Sequence, residues 1–424
     1  MTGAITRGWN SALSAACETF AWCGRIVAST LRPHAGGRLT VGVDADCFWN
    51  SLTGVGWYLF EILEHLSEAE GIRLRLYGQT IFPYPDHPPP VVALPRGPAI
   101  ELVAYPVPAW VPRRVMVRVT PWLEPLVLAL QRNAVLFAPN YVLPAKFRSA
   151  RGAVVVVIHD LAFRRFAWTL QDETRAVLEA QLDRNLARAR EVVTVSHAVR
   201  DELLAAEPID PARVTAIHHG PGHLSMQERV DLPAGVPERY VLHVGTIEPR
   251  KNIELLLAVW EAWAAEDRSA PALVLCGRRG WKSDALHIAL ARGEAAGWLR
   301  YPGYVDAATL AVLYRRALAV VSPSRYEGFG LPLVEAMAAG TPVLASDIPV
   351  FREVAGDAAV FLPVDDAAAW KRALAELAAD PSLRSRLGAR GRERVTAFDW
   401  TAAAARTRAV LERAARDART ISRN

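Results

Sequence analysis

The chain has 424 residues, of which 51% are hydrophobic, so it is long enough to form two domains of about 200 residues that each bury a core. It carries 49 lysine and arginine residues against 44 aspartate and glutamate residues. This net charge of +5 is too small and too scattered to indicate a nucleic-acid-binding protein, although it suits an anionic ligand or an anionic membrane surface.

The first part of the chain, residues 1–37, is predicted to be an N-terminal extension that neither spans a membrane nor acts as a signal peptide. The chain has no apolar run of about eighteen residues, which a membrane-spanning helix would need. Arg25 interrupts the apolar residues between positions 9 and 31, and no small-residue cleavage site follows them. Two interpretations stay open for this stretch: a loose tail, which we favour, and an amphipathic helix that lies on a membrane.

Residues 38–225 alternate between apolar strand patterns and helical patterns, which predicts a parallel α/β domain. The predicted strands are residues 39–43, 72–77, 135–137, 154–158, 192–195 and 214–217. The predicted helices are residues 58–66, 171–188 and 197–205. Residues 154–158 are apolar throughout, as central parallel strands are, and the prolines of residues 81–98 predict a loop.

Glycine and proline residues mark residues 220–238 as a linker. A second α/β unit follows it. Its predicted strands are residues 240–244, 272–275, 299–301, 318–321, 342–345 and 359–362. Its predicted helices are residues 252–264, 284–296, 306–316, 332–339, 366–379 and 381–394, and a last helix is predicted at residues 401–418.

The four cysteines are Cys17, Cys23, Cys47 and Cys276. None belongs to a Cys-x-x-Cys pair or lies near a histidine at zinc spacing, so neither a disulfide nor a zinc site is predicted. We therefore expect buried or free thiols in a cytoplasmic protein.

The most informative stretch of the chain runs from Glu327 to Glu335 and contains the glycine loop Gly328-Phe329-Gly330, followed by Leu331 and Pro332. Proline is well placed in the first turn of a helix, so the loop is predicted to lead into one. Its small residues let a ligand approach the backbone, and free N–H groups at a helix start suit a phosphate or diphosphate. The two carboxylates are better used as acceptors for sugar or ribose hydroxyls than as ligands of that anion.

Arg250 and Lys251 belong to a loop that begins at Gly245 and Thr246, directly after the apolar strand at residues 240–244. Ligands of α/β sheets bind at the carboxyl ends of strands, and two adjacent cations there can hold a diphosphate. A diphosphate gains negative charge as it leaves, so such cations would stabilise the transition state more than the ground state. The alternative is an ordinary basic helix start, which the helix dipole disfavours.

Two features of the first domain also point to a site. His159 follows the buried strand at residues 154–158, where it would face a cleft and bind a hydroxyl, orient an acceptor or transfer a proton. A hydrogen-bonded structural histidine is the alternative for this position. Gly54, Val55 and Gly56 form a two-glycine turn after the first strand that can approach a phosphate or an acceptor.

These motifs together resemble the family 4 retaining glycosyltransferases. The stretch from Glu327 to Glu335 resembles their E-x7-E signature, and residues 245–252 resemble their Glu-Pro-Arg-Lys-Asn/Gly loop. Residues 159–161 resemble their His-Asp-Leu segment, and residues 54–58 resemble their Gly-x-Gly-Arg-Tyr loop, with Trp57 in place of the arginine. The likeness covers residues 38–400.

The resemblance implies the GT-B fold, in which two Rossmann-like domains face each other across a cleft. Residues 38–225 would be the acceptor domain, residues 239–400 the nucleotide-sugar domain, and residues 401–424 a C-terminal helix that crosses back to the first domain. By the same resemblance, Glu327 contacts the donor sugar, Glu335 the ribose, and Lys251, with Arg250 as a weaker candidate, the diphosphate. The other donor-site residues implied are Gly245, Thr246, Gly328, Phe329, Gly330 and Leu331, and His159 lies near the reacting sugar.

The function that the resemblance implies is transfer of a sugar from a nucleotide-sugar donor to a glycan or lipid-linked acceptor, with retention of configuration, without a cofactor and without a metal. The sequence of residues 246–252 is similar to the corresponding loop of mannosyltransferases of surface-polysaccharide pathways, so GDP-mannose is the expected donor. Two alternatives stay open: a nucleotide-sugar epimerase or phosphorylase of the same fold, and a catalytically silent nucleotide-sugar-binding protein.

Residues 105–125 combine Trp110 and Trp122 with Arg113, Arg114 and Arg118. A basic, aromatic segment of this kind can contact anionic lipid or a lipid-linked acceptor, which would place the protein peripherally on the inner membrane face. An ordinary solvated helix is the equally weighted alternative.

Lesser candidates for the site are Ser196 with His197, Gly277, and Tyr304 with Val305. In the family that the chain resembles, the nucleobase of the donor usually stacks near the positions of Gly277, Tyr304 and Val305. His218 and His219 stand where many relatives have an Asn-Gly turn, and they are interpreted as a structural departure and not as a site.

Overall fold

The computed structural model describes residues 38–49, 54–83, 90, 94–105, 107, 111–148, 151–169, 172–222, 231–280 and 284–421. The predicted N-terminal extension, with Cys17 and Cys23, lies outside these residues. Among the described cysteines, Cys47 and Cys276 are free thiols, as predicted. None of the described helices is both long and apolar enough to cross a bilayer.

The first half of the chain forms a seven-stranded sheet, whose helices and strands we call the N-lobe. Its strands are β1 (Leu39–Asp44), β2 (Ile72–Tyr77), β3 (Ile100–Leu102), β4 (Val135–Ala138), β5 (Ala153–Ile158), β6 (Ala189–Thr194) and β7 (Val214–Ala216). Their order is β3-β2-β1-β4-β5-β6-β7, and all neighbours are parallel. Every residue of β5 is buried, as its unbroken apolar sequence predicts.

The N-lobe helices pack around this sheet. They are α1 (Gly54–Ser67), α2 (Arg113–Leu130), α3 (Ala145–Arg148), α4 (Ala162–Arg165), α5 (Asp172–Arg188) and α6 (His197–Ala206). The described part of the proline-rich loop at residues 81–98 contains neither helix nor strand, as predicted.

The second half forms a six-stranded parallel sheet in the order β10-β9-β8-β11-β12-β13, and we call this half the C-lobe. Its strands are β8 (Tyr240–Val244), β9 (Ala272–Cys276), β10 (Leu299–Gly303), β11 (Ala319–Ser322), β12 (Val343–Ser346) and β13 (Ala359–Leu362). Its helices are α7 (Ile253–Glu266), α8 (Asp284–Ala295), α9 (Ala307–Arg316), α10 (Leu331–Ala339), α11 (Pro349–Ala355), α12 (Ala367–Ala379) and α13 (Pro381–Val395).

The last helix, α14 (Trp400–Ile421), leaves the C-lobe and packs against α1 and the N-lobe sheet. Polar contacts hold it there. The Arg406 guanidinium donates to the carbonyl of Ala216 at 2.7 Å, and Arg413 lies 3.0 Å from the Glu191 carboxylate.

Two parallel α/β units confirm the predicted fold class. In each sheet the strand order reverses direction next to its first strand, between β1 and β4 and between β8 and β11. Ligands of open α/β sheets bind outside the carboxyl ends of strands at such points. The loop that contains Lys251 follows β8 and the loop that contains Glu327 follows β11, so the topology brings these two motifs together.

Several elements were not predicted from the sequence. The edge strand β3, the short helices α3 and α4, and helix α11 lie in regions for which no element was predicted. For helix α2 the sequence offers a helix only as one of two interpretations of the segment, and the helix contains Pro121 and Pro125. Gly54 to Gly56, expected to form a turn, are already the first turn of α1.

Candidate active site

A cavity of about 740 Å³ lies between the two lobes. The C-lobe contributes the loops after β8 and β11, and the N-lobe contributes the start of α1 and the loop after β5. The predicted site residues that line it are Gly54, Val55, His159, Gly245, Thr246, Arg250, Lys251, Glu327, Gly328, Phe329, Gly330, Leu331 and Glu335. Gly56 is the exception: it is buried in α1 and is not among the lining residues.

Glu327 lies at the centre of a compact ionic cluster. Its Oε1 accepts hydrogen bonds from Lys251 Nζ at 2.5 Å and from Ser324 Oγ at 2.8 Å. Its Oε2 accepts from Arg250 at 2.7 Å. Arg250 also contacts the Glu248 carboxylate at 2.6 Å. The sequence predicts that the Glu327 carboxylate and the cations of Lys251 and Arg250 contact the same ligand. The structure shows that the carboxylate also pairs directly with both cations.

The cations keep the buried Glu327 ionised. Burial alone would raise the pKa of this carboxyl, but the charges of Lys251 and Arg250 outweigh burial and lower the pKa to about 2. For Arg250, burial works against the charged form, yet the negative charges of Glu327 and Glu248 raise its pKa above the usual value. Glu327 is therefore a hydrogen-bond acceptor at neutral pH, as contact with sugar hydroxyls requires.

A tight turn orients the two cations. Pro249–Lys251 form a single 3₁₀ turn, and Asn252 then takes a left-handed conformation with φ of 56° before α7 begins. Asparagine tolerates this conformation better than most residues. Its side chain donates to the carbonyl of Val364 at 2.9 Å, which anchors the turn to the C-lobe.

The glycine loop leads into α10 as predicted. Gly330 is the residue before the helix and has φ of 98°, a left-handed conformation that favours glycine. A Cβ added there would lie 2.8 Å from the ring of Phe351, so the position also lacks space. Pro332 stands in the first turn of the helix, and α10 directs its N-terminus toward the cavity that Gly330 and Leu331 line.

Glu335 lies within α10 and lines the same cavity. Its carboxylate accepts a hydrogen bond from the Tyr314 hydroxyl at 2.6 Å. Burial raises the pKa of Glu335, and the Tyr314 hydrogen bond opposes that rise. Gly222 lies directly against this carboxylate, since a Cβ added to Gly222 would lie only 2.0 Å from Glu335 Oε1.

His159 faces the cleft from the end of β5. Its Nε2 lies 2.8 Å from the carbonyl oxygen of Pro139, which can only accept, so Nε2 carries the proton and Nδ1 is left as an acceptor. Burial lowers the pKa of His159. The neutral ring therefore presents an acceptor that suits a hydroxyl donor.

The loop around Glu327 also joins the two lobes. Ser196 Oγ donates to the carbonyl of Gly328 at 2.7 Å. A Cβ on Gly328 would lie 1.8 Å from the carbonyl oxygen of His159, so only glycine fits between the lobes here. The Tyr326 hydroxyl accepts from the amide of Leu161 at 2.8 Å.

A second contact between the lobes lies at the start of α6. The Glu353 carboxylate accepts from the amides of His197 and Ala198 at 2.7 and 2.8 Å, and it lies 2.6 Å from His218 Nε2. The ligand atoms of His197, His218 and Glu353 fall within 4.8 Å of one another. Because both oxygens already accept backbone hydrogen bonds, this group is explained as a helix cap between the lobes.

Other lining residues were only partly anticipated. Tyr304 and Val305 were lesser candidates and do line the cavity, together with Arg278, whose guanidinium lies 4.6 Å from the Tyr304 ring. Trp400 was not predicted to be in the site, because it begins a helix whose sequence carries no site motif. His219, interpreted from the sequence as a structural departure, also lines the cavity.

Comparison with known proteins agrees with this geometry. Residues 226–394 match the family described as Glycosyl transferases group 1, and residues 52–221 match Glycosyltransferase Family 4. The O-antigen chain mannosyltransferase B of Escherichia coli is 31% identical over 372 residues, which cover 82% of this chain and 93% of that protein. The phosphatidyl-myo-inositol mannosyltransferase of Mycolicibacterium smegmatis is 40% identical over 178 residues, covering 41% and 45%.

Solved structures share the fold. Sucrose-phosphate synthase from Thermosynechococcus elongatus superposes with a TM-score of 0.68 at 23% identity, covering 89% of this chain and 99% of that one. The Anabaena protein Alr3699/HepE, in complex with UDP and glucose, gives a TM-score of 0.65 at 14% identity, covering 88% and 99%.

Proposed function

Because the chain belongs to the family 4 glycosyltransferases and has their GT-B fold, we propose that it moves a hexose from a nucleotide-diphosphate sugar to a glycan or lipid-linked acceptor with retention of configuration. The observation that carries this proposal is the ionic cluster of Glu327, Lys251 and Arg250 beside the N-terminus of α10. It combines an ionised acceptor for sugar hydroxyls with two cations for a diphosphate, all within one cavity.

The leaving group is proposed to lie between the α10 N-terminus and the basic turn. Lys251 has three N–H donors and Arg250 has five, so both can bind phosphate oxygens while they keep their contacts with Glu327. As the bond from the sugar C1 to the phosphate oxygen breaks, negative charge grows on the diphosphate. The cations and the helix N-terminus stabilise that charge without rearrangement, because the cluster is already assembled.

The acceptor is proposed to attack from the face that the diphosphate leaves. A new bond forms between the acceptor oxygen and C1 while the bond from C1 to the phosphate oxygen breaks, and the acceptor proton passes to the departing phosphate oxygen. Glu327 and His159 hold hydroxyls of the donor sugar, and Glu335 accepts from the ribose hydroxyls. Gly54 and Val55 line the acceptor side of the cleft. The scheme uses neither a cofactor nor a metal.

GDP-mannose is the proposed donor. Its support is that the relatives from E. coli and M. smegmatis are named mannosyltransferases, one of the O-antigen chain and one of phosphatidyl-myo-inositol. The structural neighbour in complex with UDP and glucose supports a nucleotide-diphosphate donor in general. Its nucleotide carries uracil, whereas the proposed donor carries guanine. The proposed pathway is synthesis of a surface polysaccharide.

A two-stage experiment tests the proposal. Thermal unfolding is first measured with GDP, UDP and ADP, because a ligand that binds only the folded protein raises apparent stability. Release of nucleotide diphosphate from each matching sugar nucleotide is then followed with a saccharide acceptor, and the anomeric configuration of the product is read by NMR. An α-linked mannoside from GDP-mannose supports the proposal.

Three other outcomes contradict it in part or whole. An inverted product refutes retention, and an epimerised nucleotide sugar without transfer identifies the protein as an epimerase. Stabilisation by a nucleotide with no turnover of any donor in the presence of acceptor indicates a silent binding protein.

We further propose that the outward face of α2 contacts an anionic membrane on its cytoplasmic side. Val115, Trp122 and Leu126 lie seven and four residues apart, on one face of the helix, and the indole of Trp122 is 80% exposed. Arg114 and Arg118 are exposed beside this stripe. An apolar stripe flanked by arginines is the pattern of a helix that lies in the interface of an anionic bilayer.

The position of α2 relates this surface to the cleft. Glu124 on α2 accepts hydrogen bonds from the Thr80 hydroxyl at 2.9 Å and from the Ile81 amide at 2.8 Å. These residues follow the carboxyl end of β2, and the cavity lies at the carboxyl ends of the strands. A membrane that holds α2 would therefore present a lipid-linked acceptor at the edge of the N-lobe where the cleft opens.

Vesicle flotation tests this contact with vesicles that contain phosphatidylglycerol and with vesicles of phosphatidylcholine alone. The expected result is flotation with the anionic vesicles that is lost in a Trp122→Ser, Arg118→Glu double variant. Trp168→Ser is the matched control, because Trp168 is 64% exposed on the same lobe but lies outside α2. Equal flotation of the double variant and the wild type, or none by either, refutes the contact.

A further inference from the structure

His219 is a buried histidine for which the mechanism above has no use. It follows β7 and is only 3% exposed, and it lines the cavity between the lobes. Neither ring nitrogen has a hydrogen-bond partner in the described part of the protein. Buried polar groups are nearly always hydrogen-bonded, so two unpartnered nitrogens on one ring at a cavity wall indicate a missing ligand.

Aromatic side chains hold the ring of His219 in place. It stacks on Trp400 with ring centroids 5.4 Å apart and packs against Phe329 at 4.7 Å and Tyr58 at 4.9 Å. The ring of His159 lies 5.9 Å away. These neighbours come from both lobes and from α14, so packing positions the ring, while no group of the described residues hydrogen-bonds its nitrogens.

The protonation state of His219 indicates which kind of substrate group its ring can hydrogen-bond. Burial, together with the nearby His159 and His218, holds the pKa of His219 well below its usual value, so the ring is neutral. A neutral imidazole offers one donor and one acceptor and has no net attraction for a diphosphate. A hydroxyl group, which both donates and accepts, is its natural partner.

We propose that His219 is a specificity-determining residue that hydrogen-bonds a hydroxyl group of the donor sugar, on the same side of the cleft as His159. This proposal rests on the proposed function, because it names a contact within the donor site. The location favours the sugar over the nucleotide, since the ring packs against Phe329, two residues from Glu327 in the loop proposed to hold the sugar, and lies beside His159 of the same lobe.

Two substitutions separate hydrogen bonding from packing. His219→Phe keeps a flat aromatic ring between Trp400 and Phe329 but removes both nitrogens. His219→Asn keeps a donor and an acceptor but removes the ring. His287→Phe serves as the control for replacing a histidine by phenylalanine, because His287 is on α8 and does not line the cavity.

The assay is kcat/KM for GDP-mannose and for its 2-, 3-, 4- and 6-deoxymannose analogues. For the wild type, loss of the contacted hydroxyl should cost about tenfold in kcat/KM, the size of one neutral hydrogen bond. His219→Phe should lose about tenfold on GDP-mannose and nothing further on that one analogue, while His219→Asn retains part of the discrimination. Thermal stabilisation by GDP should be the same in wild type, His219→Phe and His287→Phe.

Distinct results overturn the two proposals. If the wild type transfers mannose but His219→Phe discriminates against all four analogues as the wild type does, the contact with a sugar hydroxyl is refuted and the proposed function stands. If His219→Phe instead loses the stabilisation by GDP, the contact is with the nucleotide and the proposal is again refuted. If the wild type releases no nucleotide diphosphate from any donor, both proposals fail together.

Discussion

Replacement of Lys251 by methionine separates the proposed catalytic role of the ionic cluster from its contribution to stability. The Lys251 side chain is 11% exposed, and its Nζ lies 2.5 Å from Glu327 Oε1. Methionine keeps the length and apolar stem of the side chain but removes the charge. Glu327 retains its hydrogen bonds with Arg250 and Ser324, so its carboxylate is not left without a partner.

The two effects have different sizes. Loss of one charge-assisted hydrogen bond should lower the free energy of unfolding by roughly 1.5–3 kcal/mol. Loss of a donor aimed at developing negative charge should lower kcat by about 10²–10³-fold, or roughly 3–4 kcal/mol of transition-state stabilisation. KM should change much less than kcat, because the lost interaction is strongest in the transition state.

Steady-state release of nucleotide diphosphate, with thermal unfolding measured on the same preparations, checks these values. Lys251→Arg is the matched variant that keeps the charge, and it should retain more activity than Lys251→Met. A Lys251→Met enzyme whose kcat stays within about threefold of the wild type would show that the leaving group is not stabilised by this side chain. A rise in KM at constant kcat would show that Lys251 binds the donor equally in both states.

Three further predictions follow from the same site. Glu327→Gln should destabilise the protein by about 3–5 kcal/mol as well as abolish transfer, since it removes the carboxylate paired with the buried Lys251 and leaves Arg250 with Glu248 alone; unchanged thermal unfolding would contradict the paired geometry. The folded pKa of Glu327 is about 2 against an ordinary 4.5, so this carboxyl contributes roughly 3 kcal/mol of stability above pH 4.5 that is lost as the pH falls toward 2. Acid titration of unfolding in Glu327→Gln should lack that loss. Gly328→Ala should push the lobes apart by clashing with His159, and small-angle scattering should detect a larger radius of gyration; an unchanged radius with full activity would refute this.

The sequence predicts regular elements well where hydrophobic periodicity is strong. Every predicted strand is found within a few residues of its expected bounds, and β2, β8 and β13 match their predicted ranges. Helix α2 was harder to predict, because Pro121 and Pro125 are signals that end helices, and they are tolerated here on a helix at the edge of the lobe. Strand β3 has three residues, none of them buried, which leaves too short a pattern to recognise.

The predicted site residues that line the cavity could be singled out from the sequence, because each belongs to a local motif that follows a strand. The direct contact between Lys251 and Glu327 could not be predicted from the sequence. The two residues are 76 positions apart, and their contact depends on β8 and β11 being neighbours in the sheet. His219, which we propose as a further contact, could not be recognised from the sequence for a different reason. It lies in a segment without periodicity, and its surroundings are contributed by Phe329 and Trp400, which are distant in sequence.

The division of the site between the lobes suggests an order of events. Lys251, Arg250, Glu327 and Glu335 all belong to the C-lobe, so the part of the site proposed to hold the nucleotide diphosphate is assembled without the N-lobe. His159 and Gly54 are contributed by the N-lobe, and the loop around Glu327 joins the two lobes through the Ser196 and Leu161 hydrogen bonds. Opening the cleft would break these two bonds but leave the ionic cluster intact. On the proposed roles, a donor can therefore bind first to the C-lobe through its diphosphate and through the contact of its sugar with Glu327, and closure then adds the contacts of His159 and Gly54 to the sugar and the acceptor.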